Sequence, residues 1–194
     1  MKKMKCKFCR VLAVGTFLLS STNLASAGTV ASAKTTLAFV EDEAPALEIS
    51  FQRRVYEAPI SLSVYASGSG EISAPTQGLK FFIDISREEL ASFLSEIQAG
   101  DLLNYDEESL VVERVRLLDG HVLGVSEDTP AITLHFRLVE ETAAGAPVRN
   151  LENTLSFRKA EYLASRFPTM RVYRSLAFIE KTFFSHLAAK ELVR

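Results

Sequence analysis

The sequence has only two cysteines and no tryptophan. Both cysteines, Cys6 and Cys9, lie within the first ten residues, so residues 28–194 contain no thiol. That longer part of the chain therefore has no disulfide, no cysteine nucleophile and no thiolate metal ligand. Because Cys6 and Cys9 lie in a segment that we expect to be removed, their Cys-x-x-Cys spacing does not indicate a redox or metal site.

The N-terminus has the order of a secretory signal peptide. Five basic and no acidic residues occur in Met1–Arg10, and an apolar run of nine residues follows from Val11 to Leu19. A helix of that length is too short to cross a bilayer, which takes about 20 residues. The triplet Ala25-Ser26-Ala27 predicts cleavage after Ala27. We therefore expect residues 1–27 to be removed and the protein to work outside the cytoplasm, in a periplasm or in the medium.

Positive charge is scarce beyond this N-terminal segment. Residues 28–194 hold 17 basic and 24 acidic residues, a formal charge of −7. Nucleic acids and anionic membrane surfaces require clustered positive charge, so neither is an expected partner, and no stable membrane insertion is expected. The usual sequence motifs of zinc proteases, serine hydrolases, phosphate loops and dinucleotide-binding folds are also absent, so we expect no cofactor and no metal.

Alternating apolar and polar residues predict most of the strands. The predicted strands are Leu47–Gln52, Ile60–Tyr65, Leu79–Ile85, Val111–Leu118, Ile132–Val139 and Thr154–Phe157. The fourth of these closes on Asp119-Gly120, which is typical of a hairpin turn.

Three segments have helical patterns. Ser86 begins a capping-box sequence whose helix continues to Gly100, and a second helix is predicted over Arg158–Phe167. From Arg171 to about Leu192 an apolar stripe recurs at helical spacing, which predicts a long C-terminal helix packed on the core.

These elements predict an α+β fold with a mainly antiparallel sheet, two shorter helices and one long C-terminal helix. Residues 28–45 are expected to form a flexible arm, with an edge strand at Leu37–Val40 as the alternative, and residues 46–194 a single domain. The stretch Ile60–Leu94 resembles Ile132–Phe167, with matching triplets 72 and 73 positions apart. This similarity suggests a duplicated βββα unit, and chance recurrence of common residues is the alternative.

The histidines are the main candidates for acid–base chemistry in residues 28–194. His186 lies beside the apolar stripe of the predicted last helix, where a flanking or interface role is expected. His135 alternates with core residues and should lie on the polar face of the sheet. His121 follows the Asp119-Gly120 turn, where a histidine with a nearby carboxylate could act as a base, although turns collect such residues for backbone reasons alone.

The polar face of the predicted sheet is the expected binding surface. Arginine, tyrosine and histidine are enriched at interfaces. The predicted binding residues are Tyr65, Arg114, Arg116, His135 and Arg137. Such a face could hold an acidic partner, a carboxylate ligand or the glutamates of the chain itself.

Together these features favour an exported binding or protein-interaction domain rather than an enzyme. A small extracytoplasmic hydrolase that uses His121 or His135 with a carboxylate is one alternative. A structural subunit of an envelope assembly, with the last helix as its contact, is another. A deep pocket at the histidines would favour the enzyme, an exposed apolar stripe would favour the assembly, and a shallow polar face would favour binding.

Overall fold

A computed structural model describes residues 35–52, 57–118 and 130–193. The strands in these ranges are β1 (Thr36–Phe39), β2 (Leu47–Gln52), β3 (Ile60–Val64), β4 (Ser69–Ala74), β5 (Leu79–Asp84), β6 (Ala131–Glu141) and β7 (Pro147–Phe157). The helices are α1 (Arg87–Ala99), α2 (Glu107–Leu118), α3 (Ala160–Arg166) and α4 (Arg171–Ala189). The predicted α+β class, with a long C-terminal helix, is confirmed.

All strand pairs are antiparallel, and β6 lies at the centre of the sheet. On one side β6 pairs with β7 along nearly its whole length. On its other side it pairs first with β2 and then with β1, which follow one another along the same edge of β6. The sheet then continues through β3 and β4 to β5. Since β1 belongs to this sheet, the predicted edge strand near Leu37–Val40 is present within the N-terminal arm.

One face of the sheet is buried by alternating apolar side chains, as the sequence predicts. Leu47 and Ile49 of β2 and Leu62 and Val64 of β3 are fully buried. The apolar stripe of α4 packs into the same core, with each of its residues at most 2% exposed. These residues are Val172, Leu176, Ile179, Phe183 and Leu187. In the described ranges, no helix has the length and apolar composition needed to span a bilayer.

The start of α1 confirms the predicted capping sequence in part. Ser86 is the N-cap, and its hydroxyl oxygen accepts a hydrogen bond from the Glu89 backbone N–H at 3.2 Å. The Glu89 carboxylate does not return to the cap, as it would in a full capping box. It binds His186 of α4 instead, so this carboxylate connects two helices.

The strand predicted at Val111–Leu118 was wrong, because this segment is α2. Asp106 caps α2 by accepting a hydrogen bond from the Ser109 backbone N–H at 2.7 Å, and Glu107 and Glu108 follow in the first turn, where the helix dipole favours them. A short apolar run fits both the spacing of a strand and the spacing of a helix. In this segment the cap at Asp106 favours the helix. Arg114 and Arg116 therefore lie on a helix and not on the sheet.

Two further strands differ from the sequence prediction. Ser69–Ala74, which lies outside the predicted strands, is β4, and β7 begins at Pro147, well before the predicted Thr154. The element order also does not repeat: Ile60–Leu94 contains three strands and a helix, whereas Ile132–Phe167 contains two strands and a helix. The order of elements therefore does not support a duplicated βββα unit.

The first 34 residues, the turn at Asp119-Gly120 and His121 lie outside the described residues. The predicted signal peptide and the predicted role of His121 remain predictions.

Candidate functional site

The face of the sheet opposite the helices is a polar surface, here called the open face. Its side chains alternate along each strand with those of the core, and apart from the buried Val139 of β6 they are half-buried or exposed. From β7 to β5 they are Glu152, Thr154, Thr133, His135, Arg137, Glu48, Ser50, Ser61, Ser63, Glu71, Ser73, Lys80 and Phe82.

His135 lies on the open face, as predicted, and contacts two side chains of β7. Its Nδ1 is 2.9 Å from the Thr154 hydroxyl, and its Nε2 is 3.5 Å from a carboxylate oxygen of Glu152. Thr154 is its direct partner across the β6–β7 pair. The ring is 23% exposed and lies on a surface, so the arrangement is that of a cross-strand polar cluster.

Arg137 also lies on the open face, and its charge is paired within the chain. Its guanidinium donates two hydrogen bonds to the Asp42 carboxylate, at 2.8 and 2.5 Å. These bonds lower the pKa of Asp42, against a smaller opposing effect of burial. The Arg137 backbone N–H donates to the Ala46 carbonyl at 2.9 Å, and its carbonyl accepts from the Val40 N–H at 3.2 Å. Arg137 thus anchors the segment that joins β1 to β2.

The structure brings together three of the five predicted binding residues. Tyr65 follows β3 directly and is half-buried at the end of the open face, where its backbone forms the turn into β4. Arg114 and Arg116 belong to α2, and their side chains lie outside the described part of the structure. The binding role of all five residues remains a prediction.

The charges of the open face are mixed and largely paired. The Lys80 ammonium is 2.7 Å from a Glu71 carboxylate oxygen, and the Ser63 hydroxyl donates to Glu48 at 3.3 Å. Since Arg137 pairs with Asp42, the predicted arginine-rich face is a surface of internal ion pairs. Of the occupants considered for this face, the structure therefore shows acidic side chains of the chain itself.

Phe82 is the feature of this surface that the sequence analysis missed. It is 77% exposed, more than any other large apolar residue in the described ranges. Phe82 lies on β5, opposite Glu71 of β4, and the Lys80 ammonium is 5.5 Å from the centre of its ring. The sequence contained the evidence for this exposure. Phe82 is two positions from Lys80 and two from Asp84, so the three side chains point to the same face of the strand, and the two charged ones must face water.

A second histidine–carboxylate contact joins α4 to α1. His186 Nε2 is 2.7 Å from a Glu89 carboxylate oxygen, and both side chains are about a quarter exposed, at 22% and 27%. They line a shallow hollow of about 470 Å³ together with Phe178 and Lys181. The position confirms the flanking role expected for His186. Within the described ranges, no three histidine, cysteine or acidic side chains converge as metal ligands would.

Comparison with known proteins finds no matching family, no matching curated protein and no matching solved structure. The function of this chain must therefore be argued from its own residues.

Proposed function

We propose that this chain is an exported, non-catalytic domain that binds another protein through the open face. The observation that carries this proposal is the exposure of Phe82, a large aromatic side chain that faces solvent among the polar side chains of the open face. Aromatic side chains, phenylalanine included, are enriched at the cores of protein–protein interfaces.

The position of Phe82 at the edge of the sheet adds support. In the described part of the chain, β5 has a strand neighbour, β4, on one side only. Such an edge offers backbone N–H and carbonyl groups to an incoming strand, while Phe82 offers a side-chain contact. Lys80 and Glu71, paired beside the ring, provide charges of both signs at the rim of the same contact.

The two alternatives have less support from the geometry. The apolar stripe of α4 is buried in the core, so it is not free to serve as the contact of an envelope assembly. Within the described part of the chain, His135 and Glu152 are 3.5 Å apart on an open surface and are not enclosed as the catalytic groups of a hydrolase are. His121, the other histidine of this alternative, lies outside the described residues. The export of the protein is supported by the basic head and short apolar run of its N-terminus.

Affinity capture tests the proposal. The purified protein is immobilised and exposed to the envelope and culture fractions of its own cells, and captured proteins are identified by mass spectrometry. We expect a defined partner whose retention falls about tenfold or more with Phe82→Ala, as for an interface residue of this kind.

The matched control is Tyr162→Ala on α3, on the helix side of the sheet, where Tyr162 is another exposed aromatic residue, 48% exposed. This variant should retain the partner at the level of the unmodified protein. Equal retention by the Phe82 and Tyr162 variants would show that the open face is not the binding surface. Absence of any protein retained above an unrelated bait would contradict the binding function itself.

A further inference from the structure

The outer side of β5 is a strand edge whose backbone groups have a known direction. Directly after β5, the Ile85 N–H donates to the Gly68 carbonyl, on the side of β4, at 2.7 Å. Successive residues of an antiparallel strand direct their N–H and C=O groups to opposite sides, so every second residue back from Ile85 faces β4. In the described part of the chain, no strand pairs with the other side. The residues whose backbone groups face that side are Lys80, Phe82 and Asp84.

The side chains of these three residues form a pattern that is complementary to itself. All three are exposed on the open face, in the order positive, aromatic, negative. When a second β5 runs antiparallel to the first with Phe82 opposite Phe82, Lys80 of each copy lies opposite Asp84 of the other. Opposite charges and aromatic pairs directly across an antiparallel pair are favourable. The Lys80 ammonium, which contacts Glu71 within its own chain, then has a carboxylate on either side.

Other antiparallel registers lose this match. Registers that place Lys80 opposite Lys80, or Asp84 opposite Asp84, put like charges across the pair, which is unfavourable. Registers that place Phe82 opposite Lys80 or opposite Asp84 pair no lysine with an aspartate. Only with Phe82 at the centre do all the outward-facing residues of one strand meet those of the other, with N–H···O=C bonds exchanged in both directions at each pair.

We infer that this protein forms a symmetric homodimer in which two β5 strands pair antiparallel, so that the sheets of both copies become one. The two-fold axis passes between the two Phe82 residues, perpendicular to the sheet, and the same surface of each copy forms the interface. Both open faces then lie on the same side, with the two Phe82 rings side by side. On the opposite side, Phe81 meets Ile83 of the other copy, and each is only half-buried in a single copy.

This inference goes beyond the proposed function, because the pairing uses the backbone edge of β5 and needs no other protein. The open face stays uncovered in the dimer. Self-association is measured with the purified protein alone, whereas partner capture needs cell fractions, so either result can fail without the other.

Sedimentation equilibrium of the purified protein and its charge variants tests the inference. We expect a monomer–dimer equilibrium, with at least about tenfold weaker association for Lys80→Glu and for Asp84→Lys, because each change places like charges at both pairs. An equimolar mixture of these two variants should associate about as tightly as the unmodified protein, since the mixed dimer again has opposite charges at both pairs. Lys181→Glu, at an exposed position of α4, makes the same change of charge on the helix side and should dimerise as the unmodified protein does.

Hydrogen exchange tests the backbone pairing separately. The amides of Lys80, Phe82 and Asp84 should exchange more slowly in the unmodified protein than in Lys80→Glu, because they are hydrogen-bonded only in the dimer. The amide of Ile83, which faces β4, should be protected in both proteins and shows that the variant is folded. An unmodified protein that remains monomeric at about 1 mM would overturn the inference. Equal exchange of the three outward amides in both proteins, or a mixture of the two charge variants that associates no better than either alone, would overturn it as well.

Discussion

Gly100, at the end of α1, lies too close to α4 for a side chain to fit. A Cβ atom there would be 2.7 Å from the Ser175 Cβ and 2.9 Å from a methyl group of Leu102. Gly100 itself has a right-handed backbone conformation, so its role is close packing and not a left-handed turn. Gly100→Ala should therefore lower the free energy of unfolding by about 1–3 kcal/mol, the usual cost of overpacking, as measured by urea denaturation.

Gly78→Ala separates this steric effect from a backbone effect. Gly78 has a φ of 65°, and a Cβ there would meet no atom within 4 Å, so its substitution costs backbone energy alone. Gly100→Ala should in addition disturb the helix contact, which a Ser175→Gly substitution in the same chain should partly restore. If Gly100→Ala is as stable as the unmodified protein, the described approach of α1 to α4 is wrong.

Single residues also show which parts of the site the sequence can predict. His135 and Arg137 lie on the open face because successive side chains of a strand point to opposite faces of the sheet. This alternation can be read from adjacent residues of the sequence. The pairing of Arg137 with Asp42 joins residues 95 positions apart, so no local pattern contains it. Phe82 follows the same alternation rule as His135, but Phe81 and Ile83 on either side of it are also apolar, so the alternation of polar and apolar residues is not visible at this position.

Glu180 connects two elements, because its carboxylate caps α3 from α4. The residue before α3, Lys159, provides no side-chain cap, and the backbone N–H of Glu161 donates to Glu180 at 3.0 Å instead. Burial raises the pKa of Glu180, against the opposing effect of the hydrogen bonds from the N–H groups of Glu161 and Ala160. Glu180→Ala should lower the free energy of unfolding by about 1–2 kcal/mol, since it leaves these donors without their acceptor.

Glu180→Gln is the matched variant, because it keeps an acceptor oxygen and removes the charge. A carboxyl whose pKa is higher in the folded than in the unfolded state stabilises the protein as it is protonated. The free energy of unfolding of the unmodified protein is therefore compared with that of Glu180→Gln at each pH. The difference should shift in favour of the unmodified protein as the pH falls from above the pKa of Glu180 in the folded state to the pKa of an ordinary glutamate, about 4.3. Urea midpoints between about pH 7 and pH 3.5 test this. A difference that stays constant with pH would contradict the burial of the charge.

At the scale of elements, the sequence predicts those with a single strong pattern. The α4 stripe and the Ser86 cap identify their helices unambiguously, because both patterns extend over whole turns. The apolar residues of Val111–Leu118 fit the two-residue spacing of a strand as well as the spacing of a helix. The segment is helical because Asp106 caps it and because it packs against the rest of the chain. The carbonyl of Leu110 accepts a hydrogen bond from the Tyr173 hydroxyl at 3.4 Å, a contact that only the folded chain contains.

For the whole molecule, the central expectation is export. N-terminal sequencing of the protein from the periplasm or medium should begin at Gly28, because the Ala25-Ser26-Ala27 triplet presents small side chains to a signal peptidase. Ala27→Leu should block this cut, and Thr22→Ser, further upstream, is the control that should not. An intact chain beginning at Met1 in the cytosol would contradict export.

The central position of β6 has a consequence for the rate at which the molecule forms. On the edge that pairs with β2 and β1, its partners are distant along the chain: Gln52 pairs with Ala131 and Thr36 pairs with Glu141, separations of 79 and 105 positions. Long closures of this kind slow folding, since chain entropy is lost before the contacts that compensate for it are made. Slow folding would keep the chain unfolded for longer, which is the state that the proposed export through a translocation channel requires.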